Sequence, residues 1–369
     1  MELTHKPGAG MSELGAYIKA LIAEEGPITV ERYMELALTH PEFGYYMNRD
    51  PFGAAGDFTT APEISQMFGE LIGLWAAEVW SMMGRPAPLQ LVELGPGRGT
   101  LMSDALRAAR IVPEFRAALD VTLIEASPTL AEIQHDTLLT AGAPVAWAAS
   151  IAEAPEGPAI FLANEFLDAL PVRQYVRSNN RWRERLVSLD KAGGLVFAPG
   201  RQPEPFIPAA GEEGDIIETC PAGHRLVYAL AGRLVRQGGV ALFIDYGHNV
   251  SVIGETLQAV RGHRMVDPLV EPGECDLTAH VDFAAMARSA RAAGAAVYGP
   301  IDQGDFLREI GIDARTQSLC ARSPERTEEF EQARRRLVGK EVGEMGGLFK
   351  AMVVASRSLP APPGFEGPR

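Results

Sequence analysis

Residues 90–101 read QLVELGPGRGTL, and this run limits the possible fold more than any other stretch of the chain. A strand-like run of leucine and valine ends on Gly95-Pro96-Gly97-Arg98-Gly99, and a helical pattern follows. Glycines at three alternate positions let the backbone turn sharply and approach a ligand closely. The helix opening there points its first amides at whatever is bound. Strand, glycine turn and helix in that order form the opening unit of an α/β sheet whose crevice lies at the C-terminal strand ends. The spacing 95, 97, 99 is not G-x-G-x-x-G, and Pro96 removes one amide donor, so a pyrophosphate fits poorly.

A second strand, VTLIEAS at 121–127, carries Glu125 at its end, where a carboxylate can accept both hydroxyls of an adenosine ribose. The tight turn and Glu125 together suit the adenosine and amino-acid ends of S-adenosyl-L-methionine. Further strands are expected at 145–148, 159–163, 239–245, 295–299 and 349–356, with helices between and the last two strands antiparallel. The expected class is α/β: a seven-stranded, Rossmann-like mixed sheet with an N-terminal helical extension and insertions after strands 4 and 5. The extension covers residues 1–84, with helices at 12–25 (capped by Ser12) and 28–38. At 59–63, Thr60, Pro62 and Glu63 read as a capping box opening a helix that runs unbroken to about Met83. The core covers 85–358, with cleft-forming insertions at about 171–238 and 248–292. Within the first insertion a hairpin turns at Asn179-Asn180, 198–215 reads as a loop and 222–236 as a helix. The segment 248–280 reads as irregular, and two helical stretches are expected at 304–310 and 324–339.

Charge and cysteine content narrow the functional classes. Lys plus Arg number 34 against 48 Asp plus Glu, a net charge of −14, which argues against a nucleic-acid partner and favours a cationic one. Cys220, Cys275 and Cys320 are too few and too far apart for a disulfide framework or a cysteine-rich zinc site. His248, His263, His280 and Asp282 match no metal-ligand spacing, so no metal is expected. No run reaches the length needed to span a bilayer, and MELTHKPGAG resembles neither a signal peptide nor a transit segment. A cytoplasmic location is expected.

The fourth strand, AIFLA, delivers N-E-F-L-D at 164–168 to the same crevice. Two carboxylates and an amide beside the cofactor make sense if a cation must be held. A guanidinium needs planar carboxylates to orient it by paired hydrogen bonds. Glu165 and Asp168 are therefore candidate catalytic residues, with His280 a candidate late proton acceptor. The competing reading is a helix N-cap cluster, open for Glu165 and evenly balanced for Asp168. Candidate cofactor-binding residues are Thr60, Pro62, Glu93, Gly95, Gly97, Gly99, Glu125 and Asn164. No G-x-S-x-G or Walker A run is present.

Several uncommon blocks occur in one order: GDFTTAPEISQMFGELIG at 56–73, VELGPGRGTL at 92–101, NEFLDALPV at 164–172, FIDYGH at 243–248, and RGH…DPL…PG…DLTAHVDF at 261–283. On these the chain, over about residues 12–356, resembles the MidA-like, NDUFAF7-like class I methyltransferases, which include a complex I assembly factor acting as a protein arginine methyltransferase. The resemblance implies a class I methyltransferase fold, S-adenosyl-L-methionine at the glycine turn with Glu125 at the ribose, and closure of residues 59–63 over it. It also implies a protein substrate, a subunit of respiratory complex I or a related protein, dimethylated on arginine. A bacterial cytoplasmic member is expected, its eukaryotic relatives residing in the mitochondrial matrix. Two alternatives remain at this point: a small-molecule methyltransferase, and a non-catalytic assembly factor that binds the cofactor. Oligomeric state is not legible.

Overall fold

The computed structural model describes residues 12–47, 59–205 and 210–365. Seven strands form the central sheet: β1 (Leu89–Leu94), β2 (Leu119–Ile124), β3 (Val145–Ala148), β4 (Ala159–Asn164), β5 (Gly239–His248), β6 (Ala296–Asp302) and β7 (Phe349–Ala355). Their spatial order is β3-β2-β1-β4-β5-β7-β6. The first five are parallel neighbours, while β7 runs antiparallel to both β5 and β6. This is the seven-stranded mixed sheet expected, with the two-residue strand Val281–Asp282 added beside the end of β5 as an eighth. β1 and β4 are buried along nearly their whole length, which is why they read as continuous apolar runs. Chain order reverses between β1 and β4, so the crevice opens at their C-terminal ends.

Helices cover both faces. On one, Gln66–Met82 and Thr100–Ala108 set Phe68, Trp75, Leu101 and Leu106 against Leu91, Leu123 and Leu162. On the other, Pro221–Gln237 and Phe283–Ala292 set Leu230 and Phe283 against Val92, Phe161 and Phe243. A third core joins the N-terminal helices Glu13–Glu25 and Val30–Thr39 to the inserted elements, through Leu14, Ile18, Tyr33, Val187, Leu257 and Leu277. Ile28 pairs directly with Val187 of the inserted sheet. The N-terminal extension and the insertions thus share one core beside the crevice.

Several expectations need correction. The helix expected from 60 to 83 is broken: Ala61–Ile64 is one short turn, Ser65 is extended, and the long helix starts at Gln66. The capping box does not form, because the Thr60 side chain makes no cap bond and Glu63 accepts from the Thr100 hydroxyl instead. Ser65 supplies the cap, accepting from the Met67 amide at 3.2 Å. Part of the expected loop at 198–215 is strand, Leu195–Pro203, and Ile216–Thr219 adds another. The segment 248–280 contains a three-stranded sheet of Gln258–Arg261, Arg264–Val266 and Asp276–Thr278. A helix at Ile312–Arg322 was not expected. The hairpin turn at Asn179-Asn180 is present, both residues lying at positive φ (55° and 59°) as a two-residue turn of this hand requires. The aromatic stretch from His40 to Phe58 is described only as far as Met47; the remainder lies outside the described residues.

Candidate active site

The crevice is a cavity of about 700 Å³ at the ends of β1, β2, β4 and β5. Its first wall is the glycine turn, with Gly95, Gly97 and Gly99 all at positive φ (61°, 55° and 81°). Gly95 is also required by space. A Cβ there would lie 2.6 Å from the Phe166 ring, so this glycine lets the loop after β4 pack directly on the turn after β1.

Glu125 is held from behind. Its Oε1 accepts from the Ser127 amide and its Oε2 from the Gln134 side chain, both at 2.8 Å. Gln134 also donates to the Gly97 carbonyl at 2.8 Å and accepts from the Trp147 indole at 2.9 Å. One fully buried glutamine therefore ties the glycine turn to the Glu125 carboxylate. Burial raises the Glu125 pKa, against the hydrogen bonds from Ser127 and Gln134. Glu93, on β1 itself, is 3% exposed, and its Oε2 has no hydrogen-bond partner. Desolvation pushes its pKa up to about 8.

The second wall is the N-E-F-L-D loop. Glu165 sits at φ 50°, an uncommon conformation for a non-glycine residue. It is held there because Asp245, in the last half of β5, receives the backbone of the next three residues. Asp245 Oδ2 accepts the amides of Phe166, Leu167 and Asp168 at 3.1, 2.8 and 3.2 Å, and Oδ1 accepts that of Tyr246 at 2.9 Å. Burial, with the neighbouring Asp168 and Glu165 carboxylates, drives the Asp245 pKa up, while the amide donors oppose that rise. Glu165 Oε1 accepts the Ala61 amide at 2.9 Å and the Asn164 side-chain amide at 3.2 Å. Burial pushes the Glu165 pKa up to about 8. Asp168 is 6% exposed, hydrogen-bonded by the Tyr246 hydroxyl, and burial lifts its pKa to about 6. Mutual repulsion opposes the joint ionisation of these three carboxylates, and at Glu165 the Arg336 charge partly offsets it.

Gly247 explains how the last expected residue arrives. A Cβ there would meet the Val281 carbonyl at 2.1 Å, so only glycine lets Val281–Asp282 pair with the end of β5. That pairing carries His280 into the cavity, its ring edge-on to Tyr246 at 5.4 Å. Burial, with His248 nearby, lowers the His280 pKa and so favours the neutral ring.

Comparison with known proteins decides what this crevice belongs to. A family model described as "Putative S-adenosyl-L-methionine-dependent methyltransferase" matches residues 71–301. The mitochondrial protein arginine methyltransferase NDUFAF7 of Homo sapiens is 38% identical over 82% of this chain and 74% of its own length. Its homolog in Drosophila melanogaster is 37% identical over 96% and 87%. The chain belongs to the NDUFAF7-like S-adenosyl-L-methionine-dependent methyltransferases. A Burkholderia thailandensis structure, described as a "likely methyl transferase" bound to S-adenosyl-homocysteine, matches the fold with a TM-score of 0.84. It is 30% identical and the match covers 96% of this chain and 95% of that one.

This methyltransferase has the donor and acceptor set that its cofactor needs. The buried, unpartnered oxygens of Glu93 and Asn164 want donors, as ammonium and hydroxyl groups supply, and Glu125 presents a carboxylate already fixed by two donors. Gly95, Gly97, Glu125, Glu93 and Asn164 would hold the cofactor. Gly99 stands behind the turn, as the left-handed cap of the helix Thr100–Ala108. Thr60 and Pro62 line the same cavity, tied down by the Ala61–Glu165 and Thr100–Glu63 bonds. All three candidate catalytic residues, Glu165, Asp168 and His280, also line it.

Of the four residues considered as metal ligands, His248, His280 and Asp282 lie near one another, but among the described residues no three ligand-type side chains are placed to hold a metal ion, and His263 stands exposed at a hairpin tip. Sequence reasoning missed Gln134 and left Asp245 and Tyr246 without roles. For Asp245 the available signal was its place in the last half of a buried strand. Gln134 gave none, being one polar residue in a mostly polar helix.

Proposed function

We propose that this methyltransferase acts on an arginine guanidinium in a protein, with a subunit of respiratory complex I, or a related protein, as the substrate the family resemblance implies. The observation that carries this reading is the pair of carboxylates Glu165 and Asp168, set on one loop and lining the cavity, with the buried Asp245 holding that loop from behind. Asp168 Oδ1 has no hydrogen-bond partner, and a planar cation would supply donors to such a pair of carboxylates. When bound, S-adenosyl-L-methionine supplies an electrophilic methyl group on a sulfonium. Glu165 keeps Oε1 on Ala61 and Asn164 and turns Oε2 to the acceptor, fixing the guanidinium and localising a lone pair on the nitrogen to be methylated. Asp168 holds the opposite edge, and the neutral His280 takes the proton released after transfer. The loop is held by the Asp245 carboxylate and the Ala61 amide, so rate comes from orientation and fixed charge.

The test is incubation of the protein with methyl-labelled S-adenosyl-L-methionine and an extract of cells lacking its gene, followed by hydrolysis of labelled proteins to amino acids. Label in methylated arginine of one protein is expected. In Glu165→Gln the Ala61 bond survives, so cofactor affinity stays and turnover falls about a hundredfold or more, as for loss of one fixed charge-stabilising group. Label on lysine, or only on small molecules, sinks the reading.

A further inference from the structure

The cavity has two ends. The glycine turn, Glu93 and Glu125 form one. The other is built largely by elements outside the seven-stranded sheet. Tyr46 comes from the segment after the helix Val30–Thr39, Gln258, Asp276 and Thr278 come from the small three-stranded sheet, and Asp168 and Tyr246 complete it. Two tyrosine–aspartate pairs stand there. The Tyr46 hydroxyl donates to Asp276 Oδ1 at 2.7 Å. The Tyr246 hydroxyl bonds Asp168 and Thr278. The Tyr246 ring is held edge-on between His280 and Phe349 at 5.4 and 5.3 Å. Asp168 and Asp276 are each 6% exposed, and Asp168 Oδ1 has no hydrogen-bond partner although the residue lines the cavity.

The charge around the cavity is one-sided. Glu63, Glu93, Glu125, Glu165, Asp168 and Asp276 line it, while among the described lining residues Arg98 is the sole lysine or arginine, and it sits 3.8 Å from Glu63. A buried carboxylate oxygen without a donor is costly unless a ligand supplies one. Carboxylates with aromatic rings make the environment that suits a planar, delocalised cation, since in-plane N–H groups take the oxygens and the flat face takes the ring.

We propose that Asp168, Asp276, Tyr46 and Tyr246 form the acceptor subsite and select a guanidinium over an ammonium or a neutral planar group. This rests on the arginine reading above and names the residues that enforce it. The N-terminal segment and the second insertion thus determine specificity, while β1 and β2 serve the cofactor.

The protein saturated with S-adenosyl-homocysteine would be titrated calorimetrically with acetyl-arginine amide, acetyl-citrulline amide and acetyl-lysine amide. The arginine probe is expected to bind about tenfold or more tighter than citrulline, which keeps the shape and loses the charge, and tighter than lysine, which keeps the charge and loses the plane. Asp168→Asn and the milder Tyr46→Phe should each weaken the arginine probe about tenfold, with S-adenosyl-homocysteine affinity within about twofold of wild type as the check on folding. Equal binding of arginine and citrulline by the unaltered protein, or no binding of the arginine probe, overturns the subsite without any variant. Labelled transfer separates the two readings. Methylated arginine formed by Asp168→Asn and Tyr46→Phe with unchanged acceptor KM overturns the subsite and leaves the arginine reading standing. Label on another residue type removes both.

Discussion

Gly95→Ala and Gly99→Ala differ by one contact, and that contact tests how the acceptor loop is coupled to the cofactor turn. Both glycines lie in the left-handed region, at φ 61° and 81°, where a Cβ costs about 1–2 kcal/mol. At Gly99 the new Cβ would stand 3.5 Å from Gln134, an ordinary contact. At Gly95 it would stand 2.6 Å from the Phe166 ring. That ring cannot retreat freely, because Asp245 holds the Phe166 amide and its two successors. Forcing an added methyl into such packing costs about 1–3 kcal/mol more. The total is then about 1–2 kcal/mol at Gly99 against roughly 2–5 kcal/mol at Gly95, and every 1.4 kcal/mol is about tenfold in affinity. Strain relieved in the free protein reappears as weakened cofactor binding, and strain kept in both states appears as a lower melting temperature. Calorimetric titration with S-adenosyl-homocysteine and thermal unfolding must therefore be measured together. Adding Phe166→Ala removes the clash but not the backbone strain, so Gly95→Ala in that background should cost no more than Gly99→Ala. Equal losses for the two single variants, or no relief from Phe166→Ala, would refute the reasoning.

Further outcomes follow from other contacts. Gln134→Ala removes three hydrogen bonds at 2.8, 2.8 and 2.9 Å and leaves the Gly97 carbonyl, Glu125 and Trp147 each short of a partner. At about 1 kcal/mol each, S-adenosyl-homocysteine affinity should fall about 10- to 100-fold; an unchanged dissociation constant would show that the turn holds itself. The pKa values of Glu93 and Glu165, lifted by burial from 4.5 to about 8, give a pH dependence of definite sign. Between those values the folded chain keeps protons that the unfolded chain has released, so the cofactor-free protein loses stability as pH rises from about 4.5 to about 8. Glu93→Gln and Glu165→Gln should each flatten that fall in melting temperature; a parallel displacement of the curve with its slope intact counts against both raised values.

What the sequence revealed, and what it hid, divides by how locally each feature is caused. β1, β2 and β4 are buried parallel strands whose apolar runs and glycine turn are written in consecutive residues. The Asn179-Asn180 turn is equally local. Leu195–Pro203 was hidden because Pro199, Gly200 and Pro203 read as loop, yet it pairs with one neighbour alone, and an edge strand tolerates prolines on its free side. Helix Ile312–Arg322 buries only Ile312, Thr316 and Leu319, too thin a stripe to announce itself. The break at Ser65 was masked because Ile64, Phe68, Leu71 and Trp75 keep helical spacing across it.

The site divides in the same way. The end proposed for the cofactor comes from three neighbouring strands, β2, β1 and β4, and the turns that directly follow them, so its motif is legible in consecutive residues. The end proposed for the acceptor is assembled from Tyr46, Asp168, Tyr246 and Asp276, spread over more than two hundred positions and set beside a core shared between the N-terminal helices and the inserted sheets. No local pattern could report that juxtaposition. On the subsite proposed above, the crevice formed by the sheet holds the methyl donor and the added elements select what is methylated. Changes in the packing of Leu14, Tyr33 or Leu277, far from the glycine turn, should therefore alter acceptor use before they alter cofactor binding.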